Sequence, residues 1–125
     1  MVTLDTSALI RFFTNDIPSK ANQVKQVLDS EERIKIPDVV FPELEYVLLG
    51  KSYNATRQKI LKAFQFLVSK KNIILSRSVK TGVELYERTK LDIADCIIVS
   101  SSLDNKLVSF DKKLLSVKGV KGFQE

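Results

Sequence analysis

The chain opens MVTLDTSALIRFF (residues 1–13), and the reading of this stretch decides the fold. Residues 1–4 are apolar and β-branched, as a short strand requires. Asp5-Thr6-Ser7 supplies three side chains suited to a helix N-cap, and residues 8–13 read as a short helix stopped near Asn15-Asp16 and Pro18. A strand that feeds directly into a helix is the first half of a β-α unit, and the rest of the chain repeats that alternation. Ser19 is the expected cap of a second helix, with Ala21, Val24, Val27 and Leu28 at helical spacing. Residues 34–36 read as a strand and 39–49 as a helix with Val40, Leu44, Val47 and Leu48 on one face, stopped by Gly50. Asn54 or Thr56 opens another helix, to about residue 69, with Ile60, Leu61, Phe64, Leu67 and Val68 apolar. Residues 72–75 form a strand, Ser78 caps a helix to about residue 90, and residues 92–103 form a strongly apolar helix. A strand at 106–110, a helical turn at 111–115 and a strand at 117–123 complete the pattern. Strands alternating with helices predict an α/β layer fold around a small, mainly parallel sheet. No repeat, low-complexity tract or linker interrupts residues 1–125, so one domain is expected.

Composition narrows the chemistry. With 44% hydrophobic residues and seven Phe spread along the chain, intrinsic disorder is excluded. No apolar run approaches the ~20 residues of a membrane helix. Asp5 and Arg11 interrupt the N-terminal apolar stretch, so no signal peptide is expected. The one cysteine, Cys96, has no internal partner, which suits a reducing cytoplasm. The chain contains no histidine, which removes Ser-His-Asp triads, Cys-His dyads and His-ligated zinc. Any catalysis must therefore run on carboxylates, hydroxyls, lysine or an oxygen-bound metal. Twenty Lys and Arg against fifteen Asp and Glu leave a net charge of +5, which permits a polyanionic partner such as nucleic acid.

Parallel sheets place their ligand sites at the carboxyl ends of the strands. Asp5 ends the first strand, Glu43 lies in the first turn of the helix after the second, and Asp111 follows Leu107-Val108-Ser109-Phe110. Asp95 is the fourth acid, near the start of the apolar helix. Each has a structural use. Asp5, Thr6 or Ser7 suits the first cap, Glu43 the positive end of its helix, and Asp111 a cap of the next turn. Asp92 and Asp95 stand at N-cap and third-residue spacing. Asp95 resists that reading, because Ala94, Ile97 and Ile98 draw its side of the helix towards the core. Convergent carboxylates repel unless a cation intervenes, and oxygen-only ligands select hard ions such as Mg²⁺ or Mn²⁺. Such an ion serves phosphodiester hydrolysis, while Arg11, Arg57, Lys59, Lys62, Lys112 and Lys113 are candidates to hold the backbone. A helical wheel does not separate Glu43 from Glu45.

Leu4-Asp5-Thr6-Ser7, Pro42-Glu43-Leu44 with Val47-Leu48, Asp92-Ile93-Ala94-Asp95 and Val108-Ser109-Phe110-Asp111 resemble the motifs of the PIN-domain ribonucleases. Length and motif order resemble in particular the VapC-type toxins of prokaryotic toxin–antitoxin pairs, from residue 2 to about residue 115. The resemblance implies a three-layer α/β/α sandwich and an acidic Mg²⁺ or Mn²⁺ site. Its catalytic and metal-binding positions carry over to Asp5, Glu43, Asp95 and Asp111, with Thr6 or Ser7 as the hydroxyl after the first aspartate. Asp92 matches a common extra acid, an N-cap or a supporting group. Substrate-binding candidates are Thr6, Ser7, Arg11, Ser109 and Lys112. The implied activity is metal-dependent cleavage of RNA by a homodimeric, cytoplasmic toxin that a cognate antitoxin protein blocks. Ser109 stands where the family often has threonine, and Cys96-Ile97-Ile98-Val99 is bulkier than the usual alanine-rich run.

Other readings compete with this one. A catalytically inactive PIN-like module that binds RNA or protein has no reason to tolerate four mutually repelling acids. An aspartyl-phosphate phosphatase uses Asp-x-Asp, and Asp5-Thr6-Ser7 lacks the second acid. A DNA-directed nuclease shares the same metal chemistry.

Overall fold

A computed structural model describes residues 1–123. The chain divides into two compact units, Met1–Ser76 and the part from Arg77 onward.

In the first unit, β1 (Val2–Thr3), β2 (Ile34–Lys35) and β3 (Ile73–Ile74) form a parallel sheet in that order. Val2 pairs with Ile34, and Ile34 with Ile73. Helices α1 (Thr6–Thr14) and α2 (Pro18–Leu28) connect β1 to β2, while α3 (Val40–Leu49) and α4 (Arg57–Ser69) connect β2 to β3. Each connection is long enough to carry the chain back for a parallel pairing. Burial of Leu9, Leu28, Ile34, Phe41, Leu44, Ile60, Phe64 and Leu67 forms the core here, with the Phe41 and Phe64 rings 5.3 Å apart.

In the second unit, α5 (Arg77–Arg88) packs against α6 (Ile93–Ser101), followed by β4 (Lys106–Leu107), α7 (Lys112–Leu115) and β5 (Lys121–Gly122). β4 and β5 pair in parallel, Lys106 with Lys121 and Leu107 with Gly122. Gly82 permits the helices to approach: a Cβ there would stand 3.1 Å from the Ile97 side chain. The α/β class and the small parallel pairings are as expected, consistent with a PIN-like α/β/α fold.

Several local expectations are corrected. Ser19 is not the cap of α2; Ile17 is, with Pro18 in the first turn, where its fixed φ and missing N–H cost nothing. Ser78 lies within α5 and accepts a hydrogen bond from the Ser101 hydroxyl at 3.0 Å. Of Asn54 and Thr56, Thr56 caps α4, its hydroxyl accepting from the Lys59 amide. Gly50 ends α3 in an extended, not left-handed, conformation. The apolar helix closes at Ser101, two residues early. Its buried stripe is Ile93, Cys96 and Val99, while Ile98 is 46% exposed, so that face is rotated from the expected one. Phe110 leaves the ladder and is almost wholly exposed, and residues 117–120 turn through Gly119, at φ +93°, before β5 begins. Among the described residues no helix is long and apolar enough to cross a membrane.

Candidate active site

The first unit carries two of the four expected acids. Asp5 is the N-cap of α1: its Oδ1 accepts from the Ala8 amide at 3.0 Å and the Ser7 hydroxyl at 2.8 Å. The Ala8 amide first, then the Ser7 hydroxyl, hold the Asp5 carboxyl below the usual aspartate range. Thr6 donates instead to Oε1 of Glu43. The two adjacent hydroxyls therefore serve different acids, one from the end of β1 and one from the first turn of α3. Glu43 is exposed, whereas Glu45 is 8% exposed, so burial separates the pair that the wheel did not. Glu45 falls in the stripe of Phe41, Leu44 and Leu48, because the buried face of α3 centres nearer Phe41 than Val47.

Beside Thr6 and Glu43 lies a cavity of about 690 Å³. Ser7, Ile10 and Arg11 of α1 line it with Pro42, Tyr46 and Val47 of α3, and Tyr53 closes it. Arg11 is ion-paired with Asp16, whose carboxylate also accepts from the Tyr53 hydroxyl at 2.8 Å. That hydroxyl first, helped by Thr14 and Arg11, lowers the Asp16 pKa, and the same bond raises that of the Tyr53 phenol. Tyr46, Tyr53 and Asp16 were not among the expected residues. The one available signal was Tyr46 at i+3 from Glu43, on the same helical face.

The second unit brings together Asp92, Asp95 and Asp111. Asp92 caps α6 through the Asp95 amide at 2.9 Å, as its spacing predicts. Asp111 caps α7 through the Lys113 amide at 2.9 Å, and its own amide donates to the Ser109 hydroxyl at 3.0 Å. Burial first, then the negative charges of Asp92 and Asp111, raise the Asp95 carboxyl above its ordinary range, opposed by Lys113. Lys112 is exposed at the start of α7.

Among the described residues no three His, Cys, Asp or Glu side chains are grouped closely enough to hold a metal ion as they stand. The donor chemistry nonetheless fits a hard divalent cation. Every donor is a carboxylate or hydroxyl oxygen, and around Asp95 negative charge accumulates against burial, which a cation would relieve.

Parallel strands that run into helices with acids in their caps or first turns define an α/β protein with carboxylates at its strand ends. The chain belongs to the PIN domain family: the family model, described as PIN domain, matches residues 2–120 and so runs through both units. Members are typically nucleases and generally use divalent metal ions. Comparison with curated proteins and with solved structures gives no match.

Proposed function

We propose that this chain is a metal-dependent endoribonuclease, the toxin of a VapBC-type pair, which acts as a cytoplasmic homodimer and is blocked by its cognate antitoxin. The observation that carries this reading is the family match over residues 2–120, with Asp5, Glu43, Asp95 and Asp111 all present. In it, Asp5, Glu43 and Asp95 would hold Mg²⁺ or Mn²⁺ directly or through water, and Asp111 would complete or orient the set. The bound ion supplies water activation and neutralises charge on the phosphate. Ser7 and Thr6 fix their acids by hydrogen bonds, so the carboxylates are aimed before substrate arrives. Asp92 holds the first turn of α6, and Ser109 holds the entry to α7. A carboxylate not fully committed to the ion would accept the attacking water's proton as the water oxygen bonds to phosphorus and the bond to the leaving oxygen breaks, the leaving oxygen taking a proton from solvent. Arg11 and Lys112 bind the RNA backbone. The test is incubation of antitoxin-free protein with tRNA, rRNA and mRNA in Mg²⁺, Mn²⁺ or EDTA, beside Asp5→Asn. Metal-dependent cleavage that Asp5→Asn lacks is expected. No cleavage of any RNA by folded wild type overturns the assignment.

A further inference from the structure

The cavity formed by α1, α3 and Tyr53 has features that the acids do not explain. Tyr46 is 81% exposed, so its ring contributes little to the core, yet it stands one turn beyond Glu43 on the same face of α3. Ile10 and Val47 give the cavity apolar walls. A cation lines it as well: Arg11, ion-paired through one guanidinium nitrogen with Asp16, whose carboxylate also accepts from the Tyr53 hydroxyl at 2.8 Å.

We infer that this cavity is a nucleobase subsite, in which one unpaired base of a single-stranded nucleic acid stacks on Tyr46 with its phosphate towards Arg11. The identity of the ligand rests on the nuclease reading above. An aromatic face accepts any base, and only an unpaired base is free to leave its own stack. The volume of about 690 Å³ lies within the usual ligand-pocket range of about 300–1,000 Å³. A planar guanidinium suits a phosphate oxygen pair, and a chain of net charge +5 favours a polyanion over a basic peptide. The arrangement places the stacked base beside Thr6 and Glu43, which line the same cavity.

The test is fluorescence anisotropy with a labelled, unstructured single-stranded RNA ten-mer and its duplex, in EDTA so that no strand is cut. Wild type, Tyr46→Ala and Tyr46→Phe are compared over a range of salt concentrations. Tyr46→Ala is expected to weaken single-strand binding about 5- to 100-fold with the salt slope unchanged, because a stacking contact releases no counterions. Tyr46→Phe retains binding, and duplex affinity moves far less. Unchanged single-strand binding by Tyr46→Ala overturns the subsite while leaving the nuclease reading intact. Wild type that binds in this Tyr46-dependent way but never cleaves with Mg²⁺ or Mn²⁺ supports the subsite and removes the nuclease reading. Equal losses for single strand and duplex, or a Tyr46→Phe variant as weak as Tyr46→Ala, also overturn the subsite.

Discussion

Asp5 caps a helix and is also a ligand of the proposed metal site. As N-cap of α1 it accepts the Ala8 amide, a bond that asparagine makes about as well as aspartate. Asp5→Asn is therefore expected to keep nearly all stability in urea denaturation while losing cleavage. Asp5→Ala loses the cap too, at about 0.5–2 kcal/mol. Equal stability of the two variants would remove the capping role. The Arg11–Asp16–Tyr53 network gives a second residue-level prediction. Asp16 is depressed in the folded state, chiefly by the Tyr53 hydroxyl. Its contribution is thus present above the unfolded pKa of about 3.9 and is lost as pH falls through the folded value. In Tyr53→Phe the Asp16 titration midpoint, read by carboxyl NMR, is expected to rise towards the ordinary range, and the acid-induced loss of stability becomes smaller. An unmoved midpoint contradicts the network.

Helix starts were legible where a side chain answers its own backbone. Asp92 and Asp111 cap where expected, and the structure selects Asp5 from Asp5, Thr6 or Ser7 and Thr56 from Asn54 or Thr56, because that bond is local. The same rule failed at Ser19 and Ser78. Pro18 fixes the start of α2, and Ser78 meets Ser101 of another helix instead. Helical faces were legible only to within about one residue: Ile98, expected towards the core, is half exposed, and burial rather than the wheel separates Glu45 from Glu43. The Tyr46–Tyr53 cavity was not legible, since no local rule links residues contributed by α1, α3 and the chain beyond α3. Two variants test these elements. Thr56→Ala is expected to cost about 0.5–2 kcal/mol, recovered in Thr56→Ser. Gly82→Val drives a branched side chain into Ile97 and is expected to cost about 1–3 kcal/mol by thermal or urea denaturation. A Gly82→Val protein as stable as wild type would contradict the close approach of α5 and α6.

At the scale of the whole molecule, a net charge of +5 predicts that RNA affinity in EDTA falls steadily with salt, at a slope set by the phosphates engaged. A salt-independent affinity would contradict an electrostatic footprint. The proposed metal site is tested most sharply at Asp95, whose charge is disfavoured by burial and by Asp92 and Asp111. In the proposed site a bound cation would offset that penalty. The most direct measurement is therefore the single-turnover RNA cleavage rate of Asp95→Asn in Mn²⁺, taken beside its melting temperature without metal. A metal-dependent nuclease predicts a rate lower by about 100-fold or more, with a melting temperature equal to or above that of wild type. Full-rate cleavage by the folded variant, or activity lost only because the fold is lost, would contradict it.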